Sequence, residues 1–117
     1  MDMHYKPGEY LNIVKQVPNL EWRHQKGDPK GVSEALLHKH NDGSYSHLLR
    51  VQKGVEFKEP VSHDFFEEAF YISGEMLNTK TREIFKGGIF VFHKPREKHG
   101  PLKCLKTCLI LEFRYYK

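Results

Sequence analysis

Hydrophobic and polar positions change places over short distances along this chain. From residue 53 onward, glycine or proline punctuates the chain at Lys53-Gly54, Glu59-Pro60, Ser73-Gly74, Gly87-Gly88 and Gly100-Pro101, with a further polar turn at Asn78-Thr79. Between these points lie AFYIS, EML, REIF, GIFVF and CLILEFRYY, short runs rich in β-branched and aromatic residues. Such runs bounded by turn residues predict strands, and many in series predict an all-β sandwich or barrel. Upstream, Asp42-Gly43 within HNDGS predicts a tight hairpin between VSEALLHKH and YSHLLRVQ. VSEALLHKH itself fits either a strand or a short helix.

The first thirty residues carry less pattern. Residues 9 to 20 (EYLNIVKQVPNL) hold no lasting helical period, and Pro18 interrupts a helix there. Trp22 is expected to anchor this N-terminal arm onto the barrel, and the KGDPKG segment is a turn by composition. No internal repeat, low-complexity tract or linker divides the chain, so residues 1–117 are expected to form one domain.

One segment offers a helical alternative. Phe65, Phe66, Ala69 and Phe70 recur at helical spacing, Ser62 could cap such a helix, and His63 and Glu67 would then stack one turn apart. The segment continues as FYIS, however, with Gly74 expected to stop it and another strand-like run close behind, which favours a strand. On a strand, Glu67, Ala69 and Tyr71 share one face and Glu68, Phe70 and Ile72 the other. A carboxylate, a small residue and a phenol on one face read as the lining of a cavity.

Charge narrows the partners. Nineteen Lys and Arg against fifteen Asp and Glu leave a net charge of +4, but the basic residues are scattered among acidic and aromatic ones. No basic cluster or nucleic-acid module results, which argues against nucleic acid and leaves room for a small anionic ligand. No apolar run approaches the roughly 20 residues needed to cross a bilayer, and MDMHYKPGEY lacks the order of a signal peptide. No membrane partner and a cytoplasmic location are therefore expected. Cys104 and Cys108 stand four apart in a strand-like run. At about 3.3 Å per residue their Cα atoms would lie ~13 Å apart, beyond disulfide reach, so buried reduced thiols are expected.

HDFFEEAFYISGEM, followed by GGIFVFHKPREKHGP, resembles the two motifs of small single-domain cupins of the RmlC-like type. Gly54 opens the first motif, His63 stands at its second histidine, Glu67 at its carboxylate and Gly74 at its closing glycine. Gly88, Pro95 and His99 supply the second, with one residue fewer than usual between proline and histidine. The upstream LEW, KGVSEALL, NDGSYSHLLR and EFKEPVSHDFFEE are similar to cupins that include anti-sigma-factor-like and acetylacetone-cleaving dioxygenase-like members. This resemblance implies a cupin-type double-stranded β-helix, a jelly-roll barrel with an N-terminal arm, and a divalent metal ligated by His63, Glu67 and His99. Two histidines and one carboxylate with open positions suit Fe(II) and also accommodate Mn, Ni or Zn.

The chain departs from the family pattern at two places. Val61 occupies the position of the usual first histidine, and Glu97 sits where the second motif often has glycine. His47 and His93 are candidates to replace the missing ligand, each weighed against a plainer role as a surface or structural histidine. Cys104 could offer a thiolate to zinc, against the plainer reading of a buried structural cysteine, while His4, His24, His38 and His40 have no converging spacing. Tyr71 is the candidate to hydrogen-bond a ligand or bound oxygen, the alternative being core packing. Arg50 is the candidate partner of a substrate carboxylate, provided that it points inward. FRYYK, with aromatics on both faces, reads as an edge strand or subunit contact, and a homodimer is expected.

One barrel hosts many activities. The leading expectation is a metal-dependent enzyme acting on a small organic molecule, most concretely an Fe(II) dioxygenase-type enzyme taking a diketone-like or carboxylate substrate. The alternatives are a non-catalytic ligand- or metal-binding sensor, and a metal-free isomerase using His63 or His99 as its base.

Overall fold

The computed structural model describes residues 8–116; His4 lies outside them. β1 (Val32–Lys39) and β2 (Tyr45–Val51) form the hairpin that Asp42-Gly43 predicts. Asp42 Oδ1 accepts the Ser44 N–H at 2.8 Å, and Gly43 takes φ +92°, a left-handed conformation that costs glycine no steric clash. VSEALLHKH is thus a strand: its ambiguous local pattern is resolved by the ladder it forms with β2.

Five further strands follow: β3 (Glu56–Phe57), β4 (Phe66–Asn78), β5 (Ile84–Lys86), β6 (Phe90–His93) and β7 (Leu102–Tyr115). All pairings are antiparallel, in the order β1-β2-β7-β4-β5, with β3 beside β7 and β6 beside β4. The result is the all-β barrel that the runs and turns predict. It holds a cavity of about 830 Å³ that opens to solvent.

Three expectations are corrected. Ser73-Gly74 is not a turn, because β4 continues through it and its register against β7 shifts around this point. Gly74 takes φ +98°, and a Cβ there would lie 2.4 Å from the Thr107 carbonyl oxygen and 2.5 Å from Cys108 Cα. Glycine is needed for a bulge and a close backbone approach, not for a chain reversal. Next, β7 is not an edge strand: β4 pairs with it from Leu102 to Tyr115 on one side, and on the other β2 pairs with it from Cys108 to Arg114 and β3 at Leu102 and Lys103. Its inner face carries Glu112 and Arg114, while Phe113 stays on the outer face at 43% exposure. Finally, the irregular stretch of β7 opposite Gly74 brings Cys104 Sγ within 3.9 Å of Cys108 Sγ, so the extended-strand separation does not apply. Both thiols are free and buried, and burial pushes that of Cys108 up to about 12.

Two apolar clusters divide along the strand alternation. Val32, Val51, Val55, Ala69, Tyr71, Met76 and Ile110 pack with the two cysteines inside the barrel. Ala35 and Leu48 point the other way and are covered by the arm, which contributes Leu11, Ile13, Val17, Leu20 and Trp22. The arm makes one short helix, α1 (Ile13–Gln16), capped by Asn12, and a 3-10 turn over Val17–Asn19 in which Pro18 sits near the start, where its missing N–H is not needed. Trp22 Nε1 donates to the Val17 carbonyl at 2.9 Å within the arm, and its ring packs on the Ala35 and Leu48 cluster, which anchors the arm on the barrel as expected.

Candidate metal centre

The pleat of β4 turns Glu67, Ala69 and Tyr71 into the barrel, buried at 4%, 6% and 6% exposure, and leaves Phe70 on the outer face at 40%. His63 sits in the irregular segment before β4, its ring stacked on Phe65 at 4.6 Å. His99 lies beyond the turn after β6 and bridges to Val61, with both backbone N–H···O bonds at 2.9 Å. One donor atom each from His63, Glu67 and His99 falls within 4.8 Å of the others. The three residues line the cavity together, as does Val61.

Burial and neighbouring charges keep protons off the two histidines of this cluster. Burial, then the neighbouring His93 and His63, lowers the pKa of His99 to about 4. Burial and the Arg114 charge also lower that of His63. Both rings are neutral at physiological pH, with lone pairs available. Among the described residues His99 Nε2 is buried and has no hydrogen-bond partner. Glu67 is raised by burial and by the nearby charge of Glu112, against the opposing pull of Arg114. A donor set of two neutral imidazoles and a carboxylate, one nitrogen of it orphaned, fits a divalent cation.

Behind Glu67 stands a charged network that sequence reasoning missed. Arg114 Nε donates to Glu67 Oε2 at 2.9 Å, its Nη2 to Glu112 Oε1 at 3.1 Å and its Nη1 to the Tyr45 hydroxyl at 2.9 Å. His47 is clamped between Glu34 Oε2 at 2.9 Å and Glu112 Oε1 at 2.7 Å. Burial alone would neutralise His47, but the two carboxylates outweigh it and raise its pKa to about 9. Burial likewise opposes ionisation of Glu112, yet His47 and Arg114 hold its carboxyl low. The available signal was the alternation of Ile110, Glu112 and Arg114 against Leu111, Phe113 and Tyr115, two charges on one face of an otherwise apolar strand.

Of the remaining candidates, Tyr71 shares the inward face and lines the cavity, stacked on Phe85 at 6.0 Å. Arg50 does not. His47, Leu49 and Val51 take the inward positions of β2, so Arg50 faces outward and its guanidinium carbon lies 4.1 Å from the Trp22 ring centroid. Its partner is the arm, not a ligand. Cys104 is buried in the core, donating to the Val51 carbonyl at 3.3 Å, and does not line the cavity.

Comparison with known proteins places this geometry. No curated protein matches the chain. Among solved structures, it is similar to a chain of Rhodobacter sphaeroides SigE in complex with the anti-sigma ChrR, at 16% identity and a TM-score of 0.68. That match covers 87% of this chain and 53% of the other, so this chain spans about half of that relative's length. An acetylacetone dioxygenase from Acinetobacter johnsonii matches at 15% identity and a TM-score of 0.72, over 95% of this chain and 76% of that one. An RmlC-like cupin from Shewanella frigidimarina matches at 19% identity and 0.65, over 94% of both. At these identities the likeness is one of fold: the barrel is a cupin jelly roll. The family model described as the ChrR cupin-like domain matches residues 11–115, nearly the whole chain, and the protein belongs to that family.

Proposed function

We propose that this protein holds a divalent cation at His63, Glu67 and His99 and acts on a small oxygen-bearing organic molecule in its cavity. The observation that carries this reading is His99, which groups with the donors of His63 and Glu67 and whose buried Nε2 has no hydrogen-bond partner among the described residues. Leaving such an atom unpaired costs about 1–3 kcal/mol, which a bound cation removes. Fe(II) suits two histidines and a carboxylate, and Mn, Ni or Zn fit as well. A cation bound there supplies Lewis acidity toward ligand oxygens and open coordination positions.

The chain's own residues supply the rest. Arg114 fixes the orientation of Glu67 through its Nε bond. Burial pushes the phenol of Tyr71 well above its ordinary value, so it stays protonated and can donate to an oxygen of the bound molecule. Leu49, Val51, Met76, Phe85, Val91 and Ile110 line the cavity with apolar surface against which a carbon skeleton can pack. The most concrete version of the reading is O2-dependent cleavage of a diketone-like or carboxylate-bearing molecule, in line with the dioxygenase among the fold relatives.

A metal titration tests the centre. Saturating Fe(II), Mn(II) or Zn(II), at about a hundred to a thousand times the dissociation constant, should stabilise the protein by roughly 2.7 to 4 kcal/mol. His63→Ala and His99→Ala should each lose that increment. Oxygen uptake with candidate substrates then tests the chemistry.

A non-catalytic sensor is the second reading, favoured by Val61 in the usual ligand position and by the Arg114 cation bonded to Glu67. Ligand-dependent stabilisation without turnover would support it. The metal-free isomerase is weakened, since a histidine held near 4, as His99 is, makes a poor base at neutral pH. For assembly we propose a homodimer through the outer face of β4, β6 and β7, where Phe70, Phe90, Phe92 and Phe113 are 40–58% exposed. Sedimentation as a monomer at high concentration would remove that support.

A further inference from the structure

We infer that His93 is a fourth ligand of this centre, taking over the coordination lost where Val61 replaces the family's first histidine. The inference rests on the metal reading above. Two cavity histidines stand outside the three-residue cluster, His47 and His93. His47 has no free nitrogen, because both are engaged by carboxylates. A ring held that way has no lone pair to give.

His93 differs in each respect. It ends β6 directly opposite Glu67 in the β4–β6 ladder, and two residues earlier Val91 pairs with Ala69 and packs against the barrel core. The pleat therefore turns His93 to the same side as Glu67. Its ring packs against that of His99 with centroids 4.1 Å apart, closer than the 5.2 Å between His63 and His99. Its Nδ1 is buried and makes no hydrogen bond among the described residues, and Glu97 Oε2 lies 3.5 Å away. Glu97 is itself held in place, its Oε1 accepting the Lys94 N–H at 3.1 Å. A metal-bound histidine characteristically gives its second ring N–H to a carboxylate, which fixes tautomer and orientation. His93 would offer Nε2 to the cation and Nδ1–H to Glu97. Glu97, where the family motif often has glycine, then becomes the partner of the substitute ligand, and Val61 and Glu97 are two parts of one change.

Co(II) titration of the full chain tests this, read by visible d–d absorption and by competition with a chelator of known affinity. The wild type should bind about one Co(II) per chain. His93→Ala should weaken binding by more than about a hundredfold and alter the absorption bands, while Glu97→Gln should weaken it less, by about 10–100-fold as the loss of an outer partner typically does. Val61→His added to His93→Ala should restore affinity, because residue 61 bridges His99 and lines the same cavity. His93→Gln serves in the same role if the alanine variant does not fold. Unchanged affinity and spectrum in a folded His93 variant would overturn the inference and leave the three-residue centre standing. A wild type that takes up no Co(II) would overturn both.

Discussion

The two walls of the cavity use the same residue type to opposite ends. On the wall built by β1, β2 and β7, His47 is held between two carboxylates and carries a proton up to about 9. On the wall formed by β6 and the segments around His63 and His99, histidines pack against each other, and His99 gives up its proton at about 4. Neighbours decide the difference: two carboxylates favour an imidazolium, whereas adjacent imidazoles and burial disfavour one. The first wall satisfies its own polar groups. The second leaves nitrogens on His93 and His99 without partners, and Glu67 stands between, bonded to Arg114 yet only 4.0 Å from His63.

The contrast is broken most sharply by removing the hub of the satisfied wall. Glu112→Leu strips a carboxylate from both His47 and Arg114 and leaves two buried cations under-compensated, which should cost about 3–5 kcal/mol in urea denaturation. A loss below about 1 kcal/mol would mean that the network does not hold the barrel. His99→Leu, measured with chelator present, should change stability by no more than about 1 kcal/mol, because it removes an unpaired nitrogen instead of a bond.

A pH series sharpens the same contrast. The folded pKa of His47 is raised from 6.5 to about 9, so its stabilisation is complete below 6.5 and is lost as pH climbs through 9. A shift of that size corresponds to ~3 kcal/mol. The folded pKa of His99 is lowered from 6.5 to about 4, so its contribution is present above 6.5 and is lost as pH falls toward 4. Its loss should be the smaller of the two because the ring is less deeply buried. His47→Gln should flatten the alkaline limb alone; a variant that retained that limb would assign it to another group. The smallest effect belongs outside the cavity: Arg50→Ala should cost about 0.5–1 kcal/mol through its contact with Trp22 and leave Co(II) affinity unchanged.

Much of the fold was legible because it depends on local period and turn chemistry. Asp42-Gly43 specified the β1–β2 hairpin, and the alternation of Glu67, Ala69 and Tyr71 specified the inward face of β4. The same rules misled where one residue type serves two purposes. Gly74 has the signature of a turn, but its requirement comes from the backbone of Thr107 and Cys108, more than thirty positions away. Arg50 was a reasonable substrate partner until the register of β2 turned it toward the arm. The network around His47 escaped notice because Glu34, Glu112 and Arg114 come from distant strands, and their charges show as a network only once β7 lies between β2 and β4.

That position of β7 sets an order of events during synthesis. The strand that fills the middle of the sheet is the last of the seven to leave the ribosome, so β2 and β4 must wait for a shared neighbour that begins about fifty and about twenty-five residues beyond their ends. Until it arrives, His47 lacks Glu112 and Glu67 lacks Arg114, while the apolar flanks of both strands stay open to other chains. The nascent barrel is thus most exposed to misassociation just before β7 emerges, when chaperone capture would matter most.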